Sequence, residues 1–358
     1  MAEIDAYLKF LAQQRGSDVH FSSNAKPQVR LLGSMTPLNV PPLTPEDVAR
    51  ILTEIMPERN KKEFEQRNDT DFAYELAGIG RFRVNIFRDR FGMGGVLRLI
   101  PTKIMTPAEL GLPESVLKFC QLPKGLILVT GPTGSGKSTT LATMVDVVNQ
   151  TRRDHIITIE DPIEFVHENK KCLINQREVF EHTTAFKSAL RAALREDPDV
   201  VLVGEMRDLV TTHIAIETAE TGHLVFATLH TTTAATTVDR LIDQFPHEQQ
   251  EQIRTMLSVS LKGIISQALL RRKDNSGRVA ALEVLVVTPA VANLIREGKT
   301  HQLPSVIQIG GKLGMIMIND AILKLVMDDI VDPKEAMAKA LDKEDLGQKF
   351  KVAGISLA

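Results

Sequence analysis

The stretch that decides the fold runs from position 131 to position 139 and reads Gly131-Pro132-Thr133-Gly134-Ser135-Gly136-Lys137-Ser138-Thr139. It fits the pattern G-x-x-x-x-G-K-[ST] at every fixed position. The residues before it, 126–130, are apolar and partly β-branched, which predicts a buried strand. The residues after it, 137–149, predict a helix. Strand, glycine-rich loop and helix in this order form the context that gives the pattern its meaning.

The glycines of this loop permit backbone angles that a Cβ would block. Consecutive N–H groups then turn inward at a helix N-terminus, where the helix dipole also favours phosphate. In such a site Lys137 reaches the β- and γ-phosphates, and Ser138 offers its hydroxyl to Mg²⁺. The sequence therefore predicts that the loop 131–139 binds ATP together with Mg²⁺.

The bulk composition is that of an ordinary globular protein. The chain has 358 residues, of which 43% are apolar and 25% are charged, and this length favours two domains. A formal net charge of −2 gives no overall attraction to nucleic acid, and there are only two tyrosines and no tryptophan for base stacking. No nucleic-acid partner is therefore expected, although a DNA translocase is conceivable for a nucleotide-driven ring.

The cysteines and the apolar runs indicate the compartment. Cys120 and Cys172 lie far apart and form no C-x-x-C pair, so neither a zinc site nor a disulfide framework is expected. No run approaches the roughly 18–20 apolar residues of a membrane span, and acidic residues near the N-terminus argue against a secretory signal. We expect a cytoplasmic protein that meets a membrane only through a partner.

The periodicity changes along the chain. Residues up to about 100 predict an α+β unit with two hairpins, and from about 121 strands alternate with helices, as in a parallel sheet covered on both faces. The strands of the second part are predicted at 126–130, 155–160, 200–204, 224–228 and 279–286. Beyond 289 the pattern is largely helical. The last segment, 343–358, lacks clear periodicity and predicts a loose tail.

Acidic and histidine residues follow the predicted strands of the second part, where ligands bind in open parallel sheets. Glu160 ends the strand 155–160, and Asp161 and Glu164 follow it; their repulsion needs a magnesium ion, a positioned water or an arginine to offset it. Glu205 ends an apolar strand in the Walker B manner and is a candidate for Mg²⁺ binding or for polarising water. Two histidines are further candidates: His230 follows a strand end and is expected to sense or contact the γ-phosphate, whereas His223 precedes that strand and is a candidate for nucleotide binding.

These stretches occur together in a known order: Gly-Pro-Thr-Gly-Ser-Gly-Lys-Ser-Thr, Ile-Glu-Asp-Pro-Ile-Glu-Phe, Gly-Glu-Met-Arg-Asp and Thr-Gly-His-Leu-Val-Phe-Ala-Thr-Leu-His-Thr. The chain thereby resembles the type II/type IV secretion ATPase superfamily, with its Walker A, Asp box, Walker B and His box. Residues 16–20, Gly-Ser-Asp-Val-His, resemble the N-terminal signature of that family. Residues 292–299 resemble the C-terminal motif of its pilus-retraction branch, although 289–291 depart from the consensus.

The resemblance implies a fold and an assembly. It implies a PAS-like N-terminal domain at 1–100, a linker and capped helix at 101–120, a RecA-like P-loop core at 121–288 and a helical C-terminal region at 289–358. It also implies a homohexamer, in which arginines of one subunit complete the site of the next. Period two places Arg81 and Arg83 on one strand face, and Arg98 lies on a further strand. All three are candidate fingers for the γ-phosphate.

The resemblance also implies a function: ATP-driven retraction of a type IV pilus, with the motor at the inner membrane. The implied partners are a PilC-like platform protein, indirectly pilin, and a PilU-like paralogue. Assembly and secretion ATPases of the family carry a further N-terminal domain and usually a four-cysteine zinc motif, which this sequence lacks. A pilus-assembly or secretion ATPase and a nucleotide-gated scaffold ring stay open as alternatives. So does the choice between Glu164 and Glu205 as the group that orients water.

Overall fold

The computed structural model describes residues 2–14, 16–31, 34–100 and 103–356. The chain folds as two compact units, Met1–Lys103 and Ile104–Ala358. The predicted linker begins with Pro101 and Thr102, which lie outside the described residues. The four-part division expected from the sequence stays a prediction.

In the first unit the described residues form helices around one antiparallel sheet. The elements are α1 (Asp5–Gln13), β1 (Asp18–Ser22), β2 (Gln28–Leu31), β3 (Ser34–Pro37), α2 (Pro45–Glu54), α3 (Glu58–Arg67), β4 (Asp69–Leu76), β5 (Gly80–Asp89) and β6 (Gly92–Leu99). The order across the sheet is β3-β2-β1-β6-β5-β4, and neighbouring strands run antiparallel. Along β5 the apolar residues Phe82, Val84 and Ile86 are fully buried, which leaves the alternate residues on the opposite face.

The second unit begins with two short helices and then alternates strands with helices. Its elements up to the last strand are α4 (Pro107–Leu110), α5 (Glu114–Phe119), β7 (Gly125–Thr130), α6 (Lys137–Thr151), β8 (His155–Glu160), β9 (Leu173–Glu178), α7 (Phe186–Ala193), β10 (Val200–Val203), α8 (Leu209–Glu220), β11 (Leu224–Leu229), α9 (Ala234–Asp243), α10 (His247–Ser260), β12 (Leu261–Arg271) and β13 (Arg278–Val286). The predicted fold class, a mixed α/β protein with a parallel-rich sheet, is confirmed. The strands β9 and β12 and the helix α10 were not predicted.

The described strands of this unit form one sheet in the order β13-β12-β7-β11-β10-β8-β9. All neighbours are parallel except β12 and β13. Both faces of β7 are covered, because Ile127 and Val129 pack into one apolar cluster while Leu126 and Leu128 pack into the other. The carboxyl ends of β7, β8, β10 and β11 therefore meet at one edge of the sheet, and this edge carries the predicted site residues.

Helices follow the last strand: α11 (Pro289–Arg296), α12 (Leu303–Ile309), α13 (Ile318–Met327), α14 (Pro333–Lys339) and α15 (Lys343–Val352). Short 3₁₀ turns lie at Thr300–Gln302 and Gly311–Leu313. The expectation of a loose tail is wrong for 343–352, because Leu346 and Phe350 are buried against α13 and α14. Asp342 caps α15 by accepting a hydrogen bond from the Asp345 N–H at 2.9 Å.

Candidate functional site

The loop between β7 and α6 has the conformation that its glycines predict. Gly131, Gly134 and Gly136 have φ angles of 144°, 77° and 90°, in the region that side chains rarely adopt. A Cβ on Gly131 would also lie 2.4 Å from the Gln267 carbonyl oxygen and 2.5 Å from the Ser135 hydroxyl. The loop therefore passes Gln267 in the middle of β12 so closely that position 131 admits only glycine.

Lys137 begins α6 and turns its ammonium back over the loop. Its Nζ donates to the carbonyl oxygens of Gly131 at 2.9 Å and Pro132 at 3.1 Å, and it lies 3.4 Å from His230 Nδ1. The residue is only 9% exposed. Burial lowers the pKa of Lys137 below its ordinary value, while the nearby carboxylates of Glu205 and Glu164 act in the opposite direction. A buried cation bonded to weak carbonyl acceptors is well placed to exchange them for phosphate oxygens.

Glu205 follows β10 and contacts an imidazole and a guanidinium. Its Oε1 lies 2.9 Å from His230 Nε2, and its Oε2 lies 2.7 Å from Arg207. Burial would raise the pKa of Glu205, but the hydrogen bond and charge of Arg207 and the charge of His230 hold it below its ordinary value. The structure thus joins Lys137, His230 and Glu205 in one chain of contacts, as their positions after parallel strands suggested. Arg207, two residues after Glu205, was not among the site residues predicted from the sequence.

The Asp box lies beside this group. Glu160 ends β8, and its Oε1 accepts hydrogen bonds from the Thr158 hydroxyl at 2.6 Å and the Gln176 amide at 3.2 Å. Burial raises the pKa of Glu160 to about 7, because these donors only partly replace water. Asp161 and Glu164 are exposed. The repulsion among the three neighbouring carboxylates is therefore partly relieved by neutral groups, because a hydroxyl and an amide donate to Glu160.

His223 lies away from the loop. β11 begins at Leu224 and pairs with Gly125, the first residue of β7, so His223 lies at the opposite edge of the sheet from the loop. Its Nδ1 lies 3.0 Å from the Thr218 carbonyl oxygen, and its own carbonyl oxygen accepts from the Gly125 N–H at 3.0 Å. The expectation that His223 binds the nucleotide is therefore not supported within its own chain. A residue that precedes a parallel strand lies at its amino end, away from the carboxyl ends where ligands bind.

Gln267 on β12 contacts the loop and was not predicted from the sequence as a site residue. Its Nε2 donates to the Ser135 carbonyl oxygen at 2.5 Å. Among the described residues, neither Gln267 Oε1 nor the Ser135 hydroxyl has a hydrogen-bond partner, although both atoms are buried. Buried polar atoms without a partner are rare in native proteins and point to a ligand or water. They support a polar ligand at the inner wall of the loop.

The arginine face belongs to the sheet of the first unit. Arg83 on β5 and Arg98 on β6 are directly opposite each other in register, and Arg98 is in turn opposite Asp18 on β1. Arg98 Nε donates to Asp18 at 2.7 Å, whereas Arg83 Nε lies 3.8 Å from Asp71. The Arg98 and Arg83 side chains are 68% and 51% exposed. Arg81 lies two residues from Arg83 on the same strand face.

No helix among the described residues is long and apolar enough to cross a membrane.

The chain is similar to known proteins along most of its length. The family model for "Type II/IV secretion system protein" matches residues 2–331. The chain is 51% identical over 338 residues to the "Type IV pilus retractation ATPase PilT" of Pseudomonas aeruginosa, covering 94% of this chain and 98% of that protein. It is 49% identical over 320 residues to the "Twitching motility protein" of Neisseria gonorrhoeae, covering 89% and 86%. A crystal structure of the pilus retraction motor PilT with bound ADP superposes with a TM-score of 0.90 at 46% identity, covering 97% and 99%.

Proposed function

Since the chain belongs to the type II/IV secretion system protein family, we propose that it is the ATP-hydrolysing motor that retracts a type IV pilus. Its likeness to a retraction ATPase and to a twitching motility protein supports this role. The observation that carries the proposal is the contact chain Lys137–His230–Glu205 at the glycine-rich loop. This chain of contacts links Lys137, which would bind phosphate, to the carboxylate of Glu205.

Nucleotide binding would use the loop 131–139. Backbone N–H groups of the loop at the N-terminus of α6 would donate to the phosphates, and Lys137 would exchange its carbonyl partners for phosphate oxygens. His230 lies 3.4 Å from Lys137 Nζ and would move with it. Loss of the γ-phosphate would therefore move Lys137 and His230, and so change the contact between His230 and Glu205.

Mg²⁺ fits this site as a substrate-bound ion. The described residues hold no cluster of three His, Cys, Asp or Glu side chains that forms a metal cage. Mg²⁺ commonly relies on phosphate oxygens and water with one or two protein ligands, and Ser138 and Glu205 would supply these. When bound, the ion neutralises charge on the phosphates.

Glu164 is the better candidate for orienting the attacking water. The Glu205 carboxylate is already bonded to Arg207 and His230, and its lowered pKa makes it a weak proton acceptor. The Glu164 carboxylate forms no hydrogen bond or ion pair among the described residues, yet its charge acts on Lys137. The Glu164 carboxylate is therefore exposed near Lys137, the cation that would bind the phosphates, and is available to a water molecule.

The arginines would act between subunits of a homohexamer. Arg83 and Arg98 are exposed side by side and would reach the γ-phosphate of a neighbouring subunit, with Arg81 as a third candidate. The motor would act from the cytoplasm at the pilus base, peripherally on the inner membrane. It would dock on a PilC-like platform protein, act indirectly on pilin, and cooperate with a PilU-like paralogue.

The first test is steady-state ATPase activity against protein concentration, with Arg83→Ala beside the wild type. We expect activity that rises cooperatively as the ring forms, and a fall of roughly 100-fold or more in the variant while ATP still binds. Arg67→Ala is the matched control, because Arg67 is an exposed arginine of the same unit on α3, away from the sheet face. Arg83→Ala at the wild-type rate would remove Arg83 as a finger. No turnover despite ring assembly would favour a scaffold ring.

The pilus role needs a test in cells. Deletion of the gene is expected to leave cells with excess pili that do not retract. Bald cells would instead identify a motor for pilus assembly.

A further inference from the structure

The segment that carries Glu164 is an unusual connection. Parallel neighbours such as β8 and β9 are commonly joined through a helix, because the chain must cross back over the sheet. Here the connection is residues 161–172, which we name the crossover segment, and these described residues contain no helix. Its backbone N–H and C=O groups therefore need partners from elsewhere.

Gln176 on β9 supplies several of these partners. Its side-chain Nε2 donates to the Phe165 carbonyl oxygen at 2.8 Å, and its Oε1 accepts from the His167 N–H at 2.8 Å. The same Nε2 lies 3.2 Å from Glu160 Oε1. One half-buried amide thus fixes the chain just after Glu164 and also contacts the acid that ends β8.

Glu178, two residues further along β9, fixes the chain just before Glu164. Its Oε2 accepts from the Ile163 N–H at 3.0 Å, and the residue is only 3% exposed. Ile163 and Phe165 are themselves buried, at 4% and 7% exposed. Glu164 is therefore an exposed side chain between two buried residues whose backbones are each bonded to β9.

The far end of the crossover segment is held separately. Asn149 on α6 is fully buried; its Oδ1 accepts from the Lys170 N–H at 3.0 Å, and its Nδ2 donates to the Glu168 carbonyl oxygen at 2.8 Å. The crossover segment is thus held by hydrogen bonds to Asn149 at one end and to Gln176 and Glu178 at the other. Only the hydrogen bonds of Gln176 and Glu178 lie next to Glu164.

We propose that Gln176 and Glu178 are positioning residues for ATP hydrolysis, which fix the peptides on either side of Glu164 and so aim its carboxylate at the attacking water. This inference rests on the proposed role of Glu164. β9 would then be part of the catalytic apparatus, although neither side chain has to touch the nucleotide.

The test compares Gln176→Leu with Asn149→Ala. Both remove an amide that holds the crossover segment, and both are expected to lower thermal stability. Only Gln176→Leu should lower kcat, by roughly 10- to 100-fold, since a displacement of about 1 Å of a reacting group costs that much. The KM for ATP and the affinity for ADP should stay within about twofold. Equal falls in kcat for the two variants would overturn the inference, because they would trace the loss to general destabilisation.

A double variant separates this inference from the proposed function. In a Glu164→Gln background, Gln176→Leu should lower kcat no further, because its effect acts through the missing carboxylate. A further 10-fold fall would overturn positioning through Glu164. If Glu164→Gln turns over at the wild-type rate, the role of Glu164 fails and the inference fails with it. If Glu164→Gln is slow and Gln176→Leu is at the wild-type rate, the inference alone fails.

Discussion

Each unit places a carboxylate beside the residues proposed to act on phosphate, and the two are stabilised in opposite ways. Asp18 in the first unit is 3% exposed and bonded to Arg98 and Ser17. Burial would raise the pKa of Asp18, but these hydrogen bonds and the charge of Arg98 hold it below its ordinary value. Glu160 in the second unit has hydroxyl and amide donors, and burial raises its pKa to about 7.

The difference distinguishes a carboxylate that stays ionised near neutral pH, Asp18, from one whose charge changes there, Glu160. The buried acid Asp18 keeps its charge because Arg98 is paired with it. The same ion pair fixes the position of Nε in the exposed Arg98 side chain. Glu160 lies at the edge where a nucleotide would bring several negative charges, and its raised pKa lets it take up a proton near neutral pH. Lys137 is buried at the same edge, whereas Arg98 and Arg83 are exposed. The edge proposed to bind the nucleotide is preformed within one chain, while the arginine face presents its charge outward.

The largest expected effect comes from Lys137→Ala. Removing the buried ammonium takes away the cation that would hold the phosphates, so ATP turnover should fall by about three orders of magnitude. ATP affinity, followed by titration with a fluorescent ATP analogue, should fall as well. Lys118→Ala is the control, because Lys118 is an exposed lysine of the same unit on α5. Retained turnover in Lys137→Ala would mean that the edge is not the nucleotide site.

A smaller effect is expected from Glu160→Gln, and it depends on pH. The folded protein holds a proton on Glu160 up to about pH 7, whereas the unfolded chain loses it near the ordinary value of 4.5. Wild-type stability relative to the variant should therefore decline as pH rises from about 4.5 to about 7 and then level off. The total change should be up to roughly 3 kcal/mol, read from urea unfolding of nucleotide-free protein at several pH values.

Asp18→Asn makes the comparison sharper, because its pKa is shifted the other way. A lowered folded pKa stabilises the protein above the unfolded value of 3.8, and that stabilisation is lost as pH falls through the folded pKa. The Asp18 carboxyl itself thus contributes a constant stability difference between wild type and Asp18→Asn from pH 5 to 8, and only His20, whose pKa burial lowers and Asp18 raises in part, adds a decline as it loses its proton. A Glu160→Gln difference that is flat over the same range would show that Glu160 is ionised throughout.

The sequence was most informative where strands end in polar residues. The strand–loop–helix context of 131–139 and the strands before Glu205 and His230 were enough to bring Lys137, His230 and Glu205 to one edge. β12 was missed because it follows α10 directly, at Leu261, with no glycine or proline between the two elements. Gln267 was missed with it.

Two other failures have the same kind of cause. β9 alternates weakly and carries the polar residues Gln176 and Glu178, so its importance lies in contacts that no periodicity reveals. In α15 only Leu346 and Phe350 mark the buried face, a spacing of four residues that is too short a signal without the helices that cover it. Side-chain hydrogen bonds across elements depend on tertiary placement and could not be derived from the chain alone.

The smallest expected effect separates the two arginines that lie opposite each other. Arg98→Ala removes the closest cation from buried Asp18 and leaves Arg30 at 3.7 Å, so it should destabilise the protein by about 1–3 kcal/mol. Arg83→Ala breaks only a 3.8 Å contact between two exposed side chains and should change stability by less than about 0.5 kcal/mol. Urea unfolding at pH 7 measures both, and each variant is the control for the other. Equal losses would mean that Asp18 does not depend on Arg98. If the losses differ as expected, a lower turnover in Arg98→Ala includes a structural part, whereas a lower turnover in Arg83→Ala reports directly on the missing guanidinium.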